Sequence, residues 1–137
     1  MDKRLFFMMT LAQGHLYKYA DKHCDAELGI SVAQSAALFY VSANEGCLSK
    51  ELAATLGLNN SAITGLSNRM EHNGLVQKRP CEHDGRASRI FLTELGRQKV
   101  EASKPLLKRL NDEIRKDFSA EELDVVARFL NEMTQRF

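Results

Sequence analysis

Two short helices separated by a turn of a few residues are the feature that most limits how this chain can fold. Ser49 can cap a first short helix that Gly57 ends. After only two further residues, Asn59 or Asn60 can cap a second helix that ends just before Gly74. Two short helices joined by a Gly-containing turn of about three or four residues are typical of a helix-turn-helix.

The spacing of apolar residues changes directly after Gly74 from a helical period to a period of 2. Residues 75–79 and 89–93 alternate as strands do, and the polar segment 80–88 between them contains Pro and Gly. This pattern predicts a hairpin with residues 80–88 as its loop. Because a hairpin that directly follows a helix-turn-helix is a wing, residues 30–93 are predicted to form a winged helix-turn-helix lobe.

Helices are predicted on both sides of this lobe. Asp2 can cap the first helix, and Gly29 marks a break beyond its end. Thr93 can cap a long helix after the hairpin, and Ser119 with Glu122 forms a capping box for the last helix. The predicted fold is therefore mainly α with a small β-hairpin wing.

The flanking segments, residues 1–29 and 94–137, carry more apolar residues than a small winged-helix core can bury. We therefore predict that they form a dimerisation lobe and cover this surface with a second copy of the chain. The alternative is that these helices pack only on their own core.

Size and composition favour one ordinary globular domain over residues 1–137. No apolar run approaches the roughly 18 residues of a membrane span. The start, MDKRLFFMMTLAQGH, lacks a small-residue cleavage site. A cytoplasmic location without a membrane partner is expected.

The net charge is only +1, which argues against a general polyanion binder. Residues 60–97, however, contain 6 basic against 4 acidic residues, and no other part of the chain has a basic excess. Any nucleic-acid binding is therefore predicted to come from this local patch.

Several short motifs follow one another between residues 31 and 97. The later ones are Gly74-Leu75-Val76, Arg79-Pro80, Asp84-Gly85-Arg86-Ala87 and Leu92-Thr93-Glu94-Leu95-Gly96-Arg97. The earlier ones are Ser31-Val32-Ala33-Gln34, Glu51-Leu52-Ala53 and Ser61-Ala62-Ile63-Thr64-Gly65-Leu66. In order and spacing they resemble the helices and wing of the MarR family, the multiple-antibiotic-resistance regulators.

The resemblance implies a homodimeric transcription regulator that binds pseudo-palindromic double-stranded DNA. Such regulators are usually repressors that a small molecule or oxidation releases from DNA. Relatives capture phenolic or lipophilic anions between the two lobes, and this implies an effector of that kind here. No residue of this sequence identifies the effector.

Helix-turn-helix proteins place the second helix in the major groove, with its N-terminal residues on base edges. The predicted DNA contacts on that helix are Asn59, Asn60, Ser61, Thr64, Gly65, Asn68 and Arg69. Asn can pair with adenine through two hydrogen bonds, Ser and Thr can bond to bases or phosphate, and glycine allows close approach. The alternative is that Asn59 and Asn60 only cap the helix and that Ser61 and Thr64 are solvated.

Arg86 at the wing is the strongest single prediction, because an arginine on a narrow hairpin can enter the minor groove. Asp84 is expected to orient Arg86 or Arg69 through a charge-assisted pair, as the resemblance also implies. A solvated loop charge is the alternative for Arg86. Lys78, Arg79 and Arg89 on the strands are predicted either to contact phosphate or to stay solvated.

Cys81 is a candidate redox site because basic residues nearby lower the pKa of a thiol. An inert thiol is the favoured alternative, since no second cysteine lies near it in sequence. Cys24 and Cys47 are predicted to pack, and neither a metal site nor a cofactor is expected.

No catalytic motif is present in the sequence, so an enzyme is not predicted. The function predicted is a sequence-specific DNA-binding regulator. The alternative from another class is a winged-helix module that binds protein and has lost DNA binding. A third is a sensor whose main event is ligand capture.

Overall fold

A computed structural model describes residues 4–137 of the chain, except for the side chain of Arg86. Asp2, the predicted cap of the first helix, lies outside the described residues. The described part contains six helices and three short strands. In chain order they are α1 (Leu5–Leu28), α2 (Val32–Ala43), β1 (Cys47–Leu48), α3 (Ser49–Leu56), α4 (Asn60–His72), β2 (Val76–Cys81), β3 (Asp84–Leu92), α5 (Glu94–Arg115) and α6 (Ala120–Arg136). The predicted fold class, mainly α with a small β-hairpin, is confirmed.

The chain divides into two compact units, Met1–Leu106 and Leu107–Phe137. The first unit contains α1 to α4, the sheet and the first part of α5. Its three strands are antiparallel and lie in the order β1-β3-β2, so that β2 is an edge strand. The largest fully buried side chains of its core come from α2, α3, α4, the hairpin and the residue directly before the hairpin, and they are Leu38, Val41, Leu52, Met70, Leu75, Val76 and Ile90.

The turn between α3 and α4 is built by local signals in the sequence. Gly57 ends α3 in the left-handed conformation with a φ of 67°, which glycine adopts without steric cost. The side chain of Asn59 then accepts a hydrogen bond of 2.8 Å from the N–H of Ala62 and caps α4. The helix-turn-helix predicted from the sequence is present.

The predicted cap of α3 is wrong. Ser49 is already the first residue of the helix, and Leu48 occupies the N-cap position without a side-chain cap. The reason lies in the sheet, because Cys47 and Leu48 pair with Ile90 and Arg89 of β3. This pairing holds Leu48 in an extended conformation directly before the helix begins.

The hairpin is longer than predicted. Residues 80–88 were predicted as a loop, but β2 continues to Cys81 and β3 begins at Asp84, which leaves a turn of Glu82 and His83. Pro80 is accommodated because β2 is the edge strand and the register shifts between Pro80 and Cys81. A hairpin exposed to solvent can be polar, so its composition resembled that of a loop.

The start of α5 is tied to the end of α4 and the start of the hairpin. Thr93 caps α5 by accepting a 3.0 Å hydrogen bond from the N–H of Gly96, and its hydroxyl donates to the carbonyl of Gly74 at 2.6 Å. A Cβ built at Gly96 would lie only 2.2 Å from the carbonyl oxygen of Leu75. Only glycine fits this contact without a shift of the backbone.

The second unit contains the end of α5 and the whole of α6. Ser119 and Glu122 form the predicted capping box, with hydrogen bonds of 3.1 Å from Glu122 N–H to Ser119 Oγ and 2.9 Å from Ser119 N–H to Glu122 Oε1. No residue of α6 is buried.

Exposed large apolar side chains are most numerous on α1, and α5 and α6 each carry three more. On α1, Phe6 is 75% exposed, and many of its other large apolar residues are also exposed. On α6, Val125, Val126 and Leu130 are about half exposed. Among the residues that the structure describes, no helix is both long and apolar enough to cross a membrane.

Candidate nucleic-acid interface

Helix α4 presents a polar face that starts at its capped N-terminus. Ile63, Leu66 and Met70 recur at i, i+3 and i+7, a spacing that predicts one inward side of a helix, and all three are buried together with Ser67. The opposite face carries the predicted contact residues Asn60, Ser61, Thr64, Asn68 and Arg69, all of which are exposed. These five side chains can reach a ligand without any change in the core.

Two of the predicted contact residues have a structural role in addition. The amide oxygen of Asn59 accepts the capping hydrogen bond, which is the role that the sequence analysis gave as the alternative to a DNA contact. At Gly65, an added Cβ would lie 3.2 Å from Nη1 of Arg69. The bare backbone at Gly65 therefore makes room for the Arg69 guanidinium, one turn later on the same face.

Lys78 has contacts within the protein that the sequence did not indicate. Its ammonium donates a hydrogen bond to the amide oxygen of Asn68 and lies 3.5 Å from Oγ of Ser67. Its backbone N–H also donates to Glu71 Oε2 at 3.0 Å. Strand β2 is thus joined to α4 by both the backbone and the side chain of Lys78, which is partly exposed.

A groove of about 350 Å³ lies between α4, the N-terminus of α3 and the hairpin. Asn60, Thr64 and Lys78 line it together with Asp84 and Lys50. The hairpin and α4 therefore border one concave surface, on which two of the predicted recognition residues and one wing residue meet.

The wing residues are only partly described. Asp84 is exposed at the start of β3, next to the turn. Arg86 follows in the same strand, and its side chain lies outside the described atoms. The predicted pairing of Asp84 with Arg86 or Arg69 remains a prediction.

Two further arginines of the hairpin contact the protein itself. The guanidinium of Arg79 lies 4.5 Å from the ring centroid of Phe91, a cation–π contact. Nη1 of Arg89 donates to the carbonyl of Gly46 at 2.8 Å and so joins β3 to the segment before β1. Both side chains have structural partners, although each was predicted only as a phosphate contact or a solvated charge.

Cys81 lies near the tip of the hairpin and is buried. The backbone N–H of His83 donates to its sulfur and lowers the pKa of the thiol, and the N–H of Asp84 and the guanidinium of Arg89 act in the same direction. Burial instead raises the pKa of Cys24 and of Cys47. Within residues 4–137 as described, no group of three acidic, His or Cys side chains could hold a metal ion.

Comparison with known proteins identifies relatives of this chain. Residues 28–87 match the model described as the MarR family. The transcriptional activatory protein BadR of Rhodopseudomonas palustris is 30% identical over 134 residues, which cover 95% of this chain and 76% of that protein. The chain belongs to the MarR family. The resemblance found in the sequence is thereby confirmed, and so is the expectation of a transcription regulator that is not an enzyme.

A second relative matches over a shorter part of the chain. The uncharacterised HTH-type transcriptional regulator YdgJ of Bacillus subtilis is 32% identical over 85 residues. The match covers 59% of this chain and about half, 52%, of that protein. It adds a second transcriptional regulator among the relatives.

Solved structures share the fold of this MarR-family chain. The MepR–DNA complex of S. aureus matches with a TM-score of 0.89 at 20% identity, over 99% of this chain and 100% of that one. PcaV of Streptomyces coelicolor, in complex with its natural ligand, matches with a TM-score of 0.80 at 21% identity, over 97% and 92%. At these identities the likeness establishes the fold.

Proposed function

We propose that this MarR-family chain is a cytoplasmic regulator that binds double-stranded DNA through α4 and the β2–β3 wing. The observation that carries the proposal is the exposed polar face of α4, with Asn60, Ser61, Thr64, Asn68 and Arg69 beside the hairpin. Amide, hydroxyl and guanidinium groups are the ones that read base edges and hold phosphates. MepR, which has the same fold, was solved bound to DNA.

Roles follow for each proposed contact. Ser61, Thr64 and Asn68 are proposed to face the bases, with Asn60 at the helix start and Arg69 on phosphate. Asn59 acts through its cap, and Gly65 acts by leaving space for Arg69. Arg86 is proposed to enter the adjacent minor groove, with Asp84 setting its orientation.

The DNA proposal is tested with duplexes selected from a random pool and then titrated at two salt concentrations. Arg86→Ala should weaken binding to the selected duplex by about 1 to 3 kcal/mol and reduce the salt dependence. Asn68→Ala should lose affinity mainly for the selected sequence and keep non-specific binding. Arg136→Ala on α6 is the control for the loss of one positive charge.

The rival function is a winged-helix module that binds protein and not DNA. If the wild-type chain binds no duplex even at low salt, the DNA proposal fails and the rival is favoured. If Arg86→Ala binds both selected and scrambled duplexes as the wild type does, the wing is not a DNA contact.

We propose that the active form is a homodimer in which residues 1–29 and 94–137 form the dimerisation lobe and residues 30–93 the DNA-binding lobe. The support is the exposed apolar surface of α1 and α6, with Phe6 75% exposed and no buried residue in α6. Two recognition helices would then sit about 34 Å, or a multiple of one helical turn, apart on a pseudo-palindromic site.

Sedimentation tests the dimer directly. The intact chain should sediment as a dimer, and removal of residues 1–23 should give aggregated or unfolded protein. A folded monomer in either case would contradict the proposal and favour helices that pack only on their own core.

The direction of regulation has two candidates. The family resemblance favours a repressor, whereas BadR, similar over 95% of this chain, is named an activator. Transcription in vitro from a promoter that carries the selected duplex separates them. A repressor lowers the transcript yield as protein is added, and an activator raises it.

A small anionic effector is proposed to weaken DNA binding. The support is that PcaV, which shares the fold, was solved with its natural ligand. Titration of 2-hydroxybenzoate, a phenolic anion, into the protein–duplex complex tests this class of ligand by fluorescence anisotropy. No release of a labelled duplex at saturating concentration would exclude that probe as an effector.

A further inference from the structure

Lys78 contacts α4 at two successive turns of the helix. Its backbone N–H donates to the carboxylate of Glu71 at 3.0 Å. Its side chain then runs back toward the N-terminus of α4, where the ammonium reaches Ser67 and Asn68. The hydrogen bond to Glu71 thus holds the backbone of Lys78 beside α4, and the ammonium contacts the helix one turn earlier, at Ser67 and Asn68.

The environment of the ammonium holds it in place. Ser67 is only 2% exposed, and its hydroxyl donates to the carbonyl of Thr64 at 3.3 Å. The Ser67 oxygen can still accept a hydrogen bond, and Nζ of Lys78 lies 3.5 Å from it. Asn68, by contrast, is exposed on the predicted recognition face.

The chemistry of the pair decides which way the Asn68 amide points. An ammonium group is a donor only, so the group of Asn68 that faces Lys78 must be the amide oxygen. The NH₂ group of Asn68 is then directed away from Lys78, on the exposed side. Without Lys78, the two orientations of the amide would be far closer in energy.

We propose that Lys78 is a positioning residue that fixes the amide of Asn68 with its NH₂ group toward DNA and so sets the base preference at that position. This inference rests on the proposed function, in which Asn68 reads a base. An NH₂ group donates two hydrogen bonds, and the edges that offer only acceptors in the major groove are guanine, with O6 and N7, and thymine, with O4.

Adenine is disfavoured for the same reason. The two-bond pair of asparagine with adenine needs the amide oxygen to accept from the adenine amino group. In this structure that oxygen already accepts from a cation, which repels a further donor hydrogen. The wild-type protein should therefore prefer guanine or thymine to adenine where Asn68 meets the DNA.

The test compares base preferences of the full-length protein and three variants, Lys78→Met, Asn68→Ala and the double variant. Each is used to select duplexes from a random pool, and relative affinities are then measured for all four base pairs at every position. The ratio of affinities for two base pairs at one position does not change if a variant only loses attraction to phosphate, because that loss is the same for both duplexes. Lys50→Met, which removes the same charge from another side of the groove, is the matched control.

The wild type should discriminate by roughly 5- to 150-fold against the wrong base at the Asn68 position. Lys78→Met should reduce that ratio to below about threefold or admit adenine, at the same base pair that Asn68→Ala affects. The double variant should behave as Asn68→Ala does. Lys78→Arg keeps a cation without acceptors and should retain the wild-type order of bases.

Each other outcome overturns the inference. A loss from Lys78→Met that is uniform over all sequences, like that of Lys50→Met, would make Lys78 a phosphate contact. A change at other base pairs, or an additive effect in the double variant, would mean that it does not act through Asn68. If the wild type selects no duplex, the proposed function fails together with this inference. If it selects a site but the two residues are not coupled, only the inference fails.

A measurement without DNA checks the pair itself. The side-chain NH₂ resonances of Asn68 in an NMR spectrum of the free protein should shift in Lys78→Met and not in Lys50→Met. The backbone amide spectrum of the same sample shows whether the variant is folded. A folded Lys78→Met with unchanged Asn68 resonances would contradict the contact.

Discussion

Gly96→Ala is the change for which the structure gives the clearest energetic expectation. A Cβ at this position would lie 2.2 Å from the carbonyl oxygen of Leu75, 3.2 Å from its carbonyl carbon and 3.3 Å from Cδ2 of Leu92. The carbonyl cannot rotate away freely, because it accepts a 3.1 Å hydrogen bond from the N–H of Thr93. The backbone must therefore move by about 1 Å to reach an ordinary contact distance.

The free energy of unfolding should fall by about 0.5 to 4 kcal/mol. Forcing an extra methyl group into a packed site costs about 1 to 3 kcal/mol, and a weakened backbone hydrogen bond adds about 0.5 to 1.5 kcal/mol. Alanine offsets about 0.5 to 1 kcal/mol of this through its better helix propensity. The steric effect is larger, so the net sign is destabilising.

Urea unfolding followed by circular dichroism measures the difference. With a slope of about 2 kcal/mol per molar, a loss of 2 kcal/mol lowers the midpoint by about 1 M. Gly14→Ala is the control for helix propensity, since an added Cβ there meets nothing within 4 Å in a single copy of the chain and α1 should gain about 0.5 to 1 kcal/mol if the dimer contact is unchanged. Both variants are compared at one protein concentration, with sedimentation to confirm the same assembly. A Gly96→Ala protein as stable as the wild type would refute the steric argument.

Three further predictions concern a cap, a carboxylate and a thiol. Asn59→Ala should lower the free energy of unfolding by about 1 kcal/mol, because α4 loses its cap, while Asn60→Ala at the first helical position should change it little in the same urea assay. Hydrogen bonds to Ser119 in the capping box lower the pKa of Glu122. The ionised carboxylate therefore stabilises the fold at pH values above the ordinary carboxyl pKa, and this stabilisation is lost as the pH falls through the lowered pKa. Glu122→Gln should flatten the acid side of a curve of unfolding free energy against pH. The thiol pKa of Cys81 is lowered and that of Cys24 is raised, so Cys81 should remain reactive toward iodoacetamide at lower pH than Cys24. Peptide mass spectrometry of the alkylated protein measures both sites. Equal pH profiles would contradict this prediction.

The boundaries that depend on a few neighbouring residues could be predicted from the sequence. The left-handed glycines at 29, 57 and 74 end elements where the pattern placed them, and Asn59 caps α4. The inward side of α4 also followed from spacing alone. These features are determined locally, because a backbone conformation or a helical face is set by residues within one or two turns.

The sequence failed where the partner of a residue is distant in the chain. The start of α3 at Ser49 depends on the pairing of Leu48 with Arg89, and the full length of the hairpin depends on a cross-strand ladder that tolerates polar residues. Strand β1 is too short to show any period.

The same division applies to the candidate site. The sequence alone determined the family, the helix-turn-helix and the set of side chains on the exposed face of α4. Only the tertiary structure decided that Lys78 bonds to Asn68, that Arg89 holds the carbonyl of Gly46, and that Gly65 makes room for Arg69. A sequence shows that a side chain is charged but not which group it contacts. That partner depends on which donors and acceptors the folded backbone brings within about 3 Å.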